Sequence, residues 1–193
     1  MANQPTKYKK FVATAATATL VASAIVPVAS AASFSDVNED QAQYVDALVA
    51  QGIIKGFEDG TFKPNQHVNR GQVVKMLGKW VEAQGFAVPT DWETVQRFTD
   101  LPVTANDKEL LKYAAVVADS NVFNGVNGTD EVKGALNAAG KITRENMALV
   151  LDRSYLAVYG VSLVDFDKST EDITVADLAQ AKVEAQAAIQ AVR

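Results

Sequence analysis

The chain has no cysteine and a single histidine, His67, among its 193 residues. The first absence excludes disulfides, thiol nucleophiles and cysteine-held metals. The second leaves no basis for a histidine triad or a multi-histidine metal site, and His67 itself sits beside a helix cap, as a surface residue does. Basic residues are also in deficit, 18 against 23 acidic, for a formal charge of −5. Such a balance argues against broad attraction to nucleic acid or anionic membranes. Asp36-Val37-Asn38-Glu39-Asp40 begins like a calcium loop, but Gln41 stands where glycine is needed and Ala47 where an acid is needed. Carboxylates are abundant without forming a glycosidase motif. No catalytic residue, cofactor or metal is assigned, and the chain is read as a binding protein and not an enzyme.

One long apolar run is present, at the N-terminus. Lys7, Lys9 and Lys10 precede a stretch rich in Ala and Val from Phe11 to Val28, followed by Ala29-Ser30-Ala31. A basic start, an apolar run and a small-x-small site make a secretory signal peptide over residues 1–31, with the mature chain beginning at Ala32. Its removal takes three lysines and no acid, leaving 15 basic residues against 23 acidic, a charge of −8. An anionic ligand of so acidic a chain has to be held by a local site.

The remaining sequence repeats itself. Val68-Asn69-Arg70-Gly71-Gln72, then Val73, Val74, Met76 and Leu77, aligns without a gap on Ile142-Thr143-Arg144-Glu145-Asn146, then Met147, Ala148, Val150 and Leu151. Each copy is an apolar residue, a capping residue, an arginine and an apolar helix. In a repeat architecture, function is sought at the recurring position, here the arginine. Asn69 with Gln72 also suits a capping box. Phe34-Ser35-Asp36 recurs as Phe98-Thr99-Asp100, and Ile53-Ile54-Lys55-Gly56 as Val122-Phe123-Asn124-Gly125. Val175-Ala176-Asp177 opens a weaker third copy that stops after its first helix. The spacing predicts helices starting near Gln41, Asn69, Lys108, Thr143 and Val175, with Tyr44, Ala47 and Leu48 on the buried face of the first. Gly85 to Thr90 reads as a linker, and 126–141 as a longer, looser replacement for the Asp59-Gly60 turn. The units are 32–90, 91–160 and an incomplete 161–193.

Phe-x-Asp-Val, Gly-Ile-Ile-x-Gly, x-Asp-Gly-Thr-Phe-x-Pro and the arginine-bearing helix start resemble the surface-layer homology repeat. The first unit matches nearly throughout, with Asn69 for the usual Thr and Gly71-Gln72 for the usual Ala-Glu. The second matches at its ends, and the third over its first half. The resemblance implies a mainly α fold of tandem helix–loop–helix repeats in a pseudo-threefold bundle, the first helices central and the grooves between repeats. It further implies a secreted protein anchored non-covalently to the Gram-positive cell wall. Its ligand would be a secondary cell-wall polymer attached to peptidoglycan, typically carrying a pyruvate ketal. Neither nucleic acid nor, after signal cleavage, a membrane would be a partner. The groove residues implied are Asp36 with Arg70 and Asp100 with Arg144, together with Asn69, Thr143, Gly56 and Gly125. The chemistry is apt: free N–H groups at a helix start and a guanidinium fork suit a carboxylate. Two other roles stand beside anchoring. One is a surface lattice with other surface-layer subunits as partners, and the other is the targeting part of a wall hydrolase.

Overall fold

In a computed structural model the chain divides into two units, Met1–Ser30 and Ala31–Arg193. The described residues are 34–166 and 174–192, so the predicted signal peptide and its cleavage site lie outside them. Among the described residues the protein is helical, with two isolated β-bridges and no strand. The helices are α1 (Glu39–Ala50), α2 (Arg70–Ala83), α3 (Lys108–Asp119), α4 (Arg144–Tyr159), the single turn α5 (Leu163–Phe166) and α6 (Val183–Ala191). None is long and apolar enough to cross a membrane. The mainly α fold is therefore found as expected.

Capping explains most helix starts. Asn69 Oδ1 accepts from Gln72 N at 2.8 Å while Gln72 Oε1 accepts from Asn69 N at 2.9 Å, the reciprocal capping box. Thr143 Oγ1 and Asp107 Oδ1 cap α4 and α3 by accepting from Asn146 N and Leu110 N. Asn38, two residues after Asp36, caps α1 through Gln41 N. The third unit departs from expectation here. Val175 does not start a helix; Leu178–Gln180 forms a 3₁₀ turn and α6 begins at Val183. The position two after Asp177 is Ala179, which has no side-chain acceptor, and α6 has no side-chain cap.

The repeat is visible in the backbone. Each copy opens with the same turn, in which Val37 N, Leu101 N and Leu178 N each donate to the carbonyl three residues earlier, at 3.2 Å in all three cases. Asp36 then accepts from Phe62 N at 2.8 Å and Lys63 N at 2.7 Å. Asp100 accepts from Leu136 N at 2.6 Å and Asn137 N at 2.8 Å. Lys63 and Asn137, the second donor in each pair, both adopt positive φ, 58° and 51°. One carboxylate thus clamps the returning loop in each unit, although 36 residues separate Asp100 from Leu136 and only 26 separate Asp36 from Phe62.

Packing crosses the unit boundaries. α2 lies on α3 and α4 lies on α6, so the arginine-bearing helix of one unit covers the first helix of the next. Gly78 permits the first of these crossings, since a Cβ there would sit 2.6 Å from Tyr113 Cβ. The core between α2, α3 and the second loop includes Val73, Val74, Val81, Phe98, Val117, Phe123 and Leu136, all fully buried. Phe86 and Val88 pack against it, so 85–90 is a wedge and not a free linker.

α1 has no helix packed on it, and α1, α3 and α6 do not pack on one another among the described residues. The central arrangement of first helices implied by the resemblance is not formed there. The same cause corrects a core assignment. Tyr44, expected to be buried like its counterpart Tyr113, is 67% exposed, whereas Tyr113 is 8% exposed. Leu48 is exposed too, and Val45 is the buried residue of α1. Tyr113 is covered by α2; no described helix covers Tyr44 in that way.

Candidate functional site

Arg70, the first residue of α2, is 7% exposed. Its placement follows from docking of the helix start on the second unit. Arg70 N donates to Gly140 O at 2.8 Å, Gly71 N donates to Ala138 O at 2.9 Å, and Asn69 bridges Lys141. Gly71 suits this approach: a Cβ there would press on Ala138 at 3.2 Å. The guanidinium donates from Nε to Leu136 O at 2.7 Å and lies over the Phe123 ring at 4.7 Å. Burial pushes its pKa below the ordinary value, and the charge of Asp100 works against that shift.

Two sequence expectations are corrected by this arrangement. Arg70 does not pair with Asp36, nor Arg144 with Asp100; each aspartate clamps backbone N–H groups within its own unit. Because α2 packs forward on the next unit, Arg70 joins the unit of Asp100. The N–H groups at the start of α2 are also not free. Those of Arg70, Gly71 and Gln72 are taken by Gly140 O, Ala138 O and Asn69 Oδ1. Any anion at this place is met by the guanidinium and side chains, without the helix N-terminus.

Arg70 opens onto a cavity of about 440 Å³ lined also by Asn124, Gly125, Asn146, Arg153 and Lys182. Only Nε of the guanidinium has a hydrogen-bond partner among the described residues, which leaves Nη1 and Nη2 available. Gly125 adopts φ +80°, and a Cβ there would meet Ala135 O at 2.8 Å. Loop 126–135 forms the rim and is tied down, not loose. Val126 N donates to Ala135 O at 2.7 Å, and Lys133 Nζ donates to Asn121 Oδ1, Asn124 Oδ1, Thr129 O and Asp130 O at 2.7–3.3 Å.

The counterparts in the other units differ. Arg144 lines a cavity of about 410 Å³ with Glu145, Ala148, Asp177, Leu178 and Ile189, facing the third unit as Arg70 faces the second. Gly56 lines a cavity of about 380 Å³ in the first unit, with Lys55, His67, Lys75 and Lys79 and no arginine. Lys75 and Lys79 are paired with Asp107 and Glu109. Of the expected site residues, Arg70 and Gly125 come together, with Asp100 behind them. Arg144, Gly56 and Asp36 fall in other units, and Asn69 and Thr143 serve as caps. Trp80 packs edge-on against Tyr159 at 6.3 Å between ring centroids.

Residues 33–74 match the model of the S-layer homology domain. The chain carries an S-layer homology domain. Its relatives include the surface-layer 125 kDa protein of Lysinibacillus sphaericus, 34% identical over 127 residues, covering 64% of this chain and 10% of that protein. S-layer protein sap of Bacillus anthracis is 30% identical over 151 residues, 77% of this chain and 17% of that protein. The cellulosome-anchoring protein of Acetivibrio thermocellus is 34% identical over 61 residues, 32% of this chain and 12% of that protein. The chain thus spans between a tenth and a sixth of the length of these relatives. The homology domain and the S-layer relatives indicate a secreted protein of the cell wall and surface layer.

Proposed function

We propose that this chain anchors an exported protein to the cell wall by binding an acidic secondary cell-wall polymer, with the cavity at Arg70 as the principal site. One observation carries the reading: a guanidinium at the repeat position is held by a single bond from Nε, lines a cavity, and has no hydrogen-bond partner for its terminal nitrogens among the described residues. The two terminal nitrogens form the fork that a carboxylate accepts in bidentate fashion. A pyruvate ketal presents such a carboxylate on a sugar. Asn146 supplies an amide suited to the sugar's hydroxyl groups, while Asn124, buried and held by Asp130 and Lys133, fixes the rim of the cavity. Gly125 lets the loop turn close to the ligand, and Asp100 fixes the carbonyl that orients Arg70. Arg144 repeats the scheme toward the third unit with fewer supporting groups. Asn69 and Thr143 act by capping the helices that carry the arginines, while Asp36 and Gly56 shape the first unit.

The relatives' names support anchoring and surface assembly: two are S-layer proteins and one is a cellulosome-anchoring protein. Binding to purified sacculi tests the proposal. The protein should sediment with polymer-bearing sacculi and remain in solution after the polymer has been extracted; equal sedimentation with both would refute it.

A further inference from the structure

The cavity at Arg70 contains a second guanidinium that the repeated arginine motif does not announce. Asn146, Leu149, Val150 and Arg153 all line it, and their spacing of three, four and seven residues places them on one stripe of α4. Arg153 is half-buried, yet it has no hydrogen bond or ion pair among the described residues. Arg97 shows what a structural arginine looks like in this protein. Its guanidinium is held by Asp119 at 2.8 Å and Asp91 at 2.6 Å and closes a corner of the fold. Arg153 instead stands near further positive charge. Arg70 and Lys182 share its cavity, and its charge acts on Lys133 strongly enough to help push that ammonium's pKa down, after burial. Glu184 is the one acid among the lining residues. Lys182 is paired with Glu145 at 3.6 Å, which leaves the two guanidinium groups as the lining cations without an ion pair among the described residues. Such groups repel one another, and an anionic ligand relieves that repulsion.

We infer that Arg153 is a second anion-contacting residue of this groove, so that an acidic glycan is gripped by Arg70 from one unit and Arg153 from the next. This deepens the function proposed above and rests on it. The groove thereby gains selectivity, because a neutral glycan would enter at the cost of leaving two guanidinium groups unpaired. The other two cavities lack such a pair: one has paired lysines, and the other sets Arg144 beside Glu145 and Asp177.

Calorimetric titration separates the two claims. The probe is a monosaccharide bearing a pyruvate ketal, with its uncharged methyl ester as control. The proteins are wild type, Arg153→Gln, Arg153→Lys, Arg70→Lys and the exposed control Lys141→Ala. Each is checked by circular dichroism. Arg153→Gln should bind the acid about tenfold or more weakly, the cost of one charge-assisted contact. Arg153→Lys should fall between, and the ester should bind wild type and Arg153→Gln alike. If Arg153→Gln binds the acid as wild type does while Arg70→Lys is weakened, the inference about Arg153 is wrong and the proposed function stands. If wild type does not bind the acid, or neither substitution weakens it, the proposed site fails as well.

Discussion

Removing the Asp100 carboxylate is the most informative single perturbation of this fold. Asp100 holds Leu136 N at 2.6 Å and Asn137 N at 2.8 Å, and Leu136 is fully buried. The carbonyl of the same Leu136 receives Arg70 Nε. Asp100→Ala therefore strands a buried N–H and frees the segment that orients Arg70. A charge-assisted hydrogen bond contributes about 1.5–3 kcal/mol. The second bond, to exposed Asn137, adds little because water replaces it. The expected loss is about 2–3 kcal/mol, which for a chain of this size lowers Tm by roughly 4–12 °C. Asp100→Asn retains an acceptor for one N–H and should lose about half as much. Urea unfolding followed by circular dichroism gives the energies. Polymer binding by Asp100→Ala, Arg70→Ala and the double variant gives the coupling, expected to exceed about 0.5 kcal/mol because the two residues act through one peptide unit. An Asp100→Ala protein within about 0.5 kcal/mol of wild type, with additive effects on binding, would refute the clamp.

Tyr113→Ala should destabilise by about 3 kcal/mol or more, as removal of a buried aromatic does, whereas Tyr44→Ala should stay within about 0.5 kcal/mol; equal losses in urea unfolding would mean that α1 is covered as α3 is. The Thr61 hydroxyl and amide, with Lys63, hold the exposed Asp59 carboxyl down to about 2. A depressed carboxylate stabilises the folded state above its ordinary value of 3.8 and loses that contribution as pH falls toward 2. Carboxyl titration by NMR should therefore give Asp59 a midpoint near 2; a midpoint at 3.8 would show that the turn hydrogen bonds are absent in solution.

Local chemistry made much of the fold legible in the sequence. Asn69 with Gln72, and Thr143, mark helix starts through interactions spanning three residues, and those starts fall where expected. The repeated aspartate was also legible as a position, but its role was not. Its acceptors bond to backbone 26 and 36 residues onward, and no side-chain pattern announces a backbone partner. Arg70 was recognisable as the repeated position while its neighbours were not, since its partner carbonyl lies 66 residues away across a unit boundary. Arg153 carries a weaker signal of its own, a charged residue seven positions after Asn146 on the same helical stripe. Tyr44 misled because its apolar spacing matches that of Tyr113, and spacing does not show whether a neighbouring helix covers the face.

The account rests on Arg70 meeting an anion with a planar fork. Wild type, Arg70→Ala, Arg70→Lys and the peripheral Lys79→Ala should be bound to polymer-bearing sacculi at low and high salt, with folding checked in parallel. Arg70→Ala should lose about 1.5–3 kcal/mol of binding. Arg70→Lys should lose less, since charge remains but the bidentate geometry does not. Lys79→Ala should lose little, and wild-type binding should fall only modestly with salt, because a part-buried contact is weakly screened. Normally folded Arg70→Ala protein that binds sacculi as tightly as wild type would contradict the account and make Arg70 a structural residue.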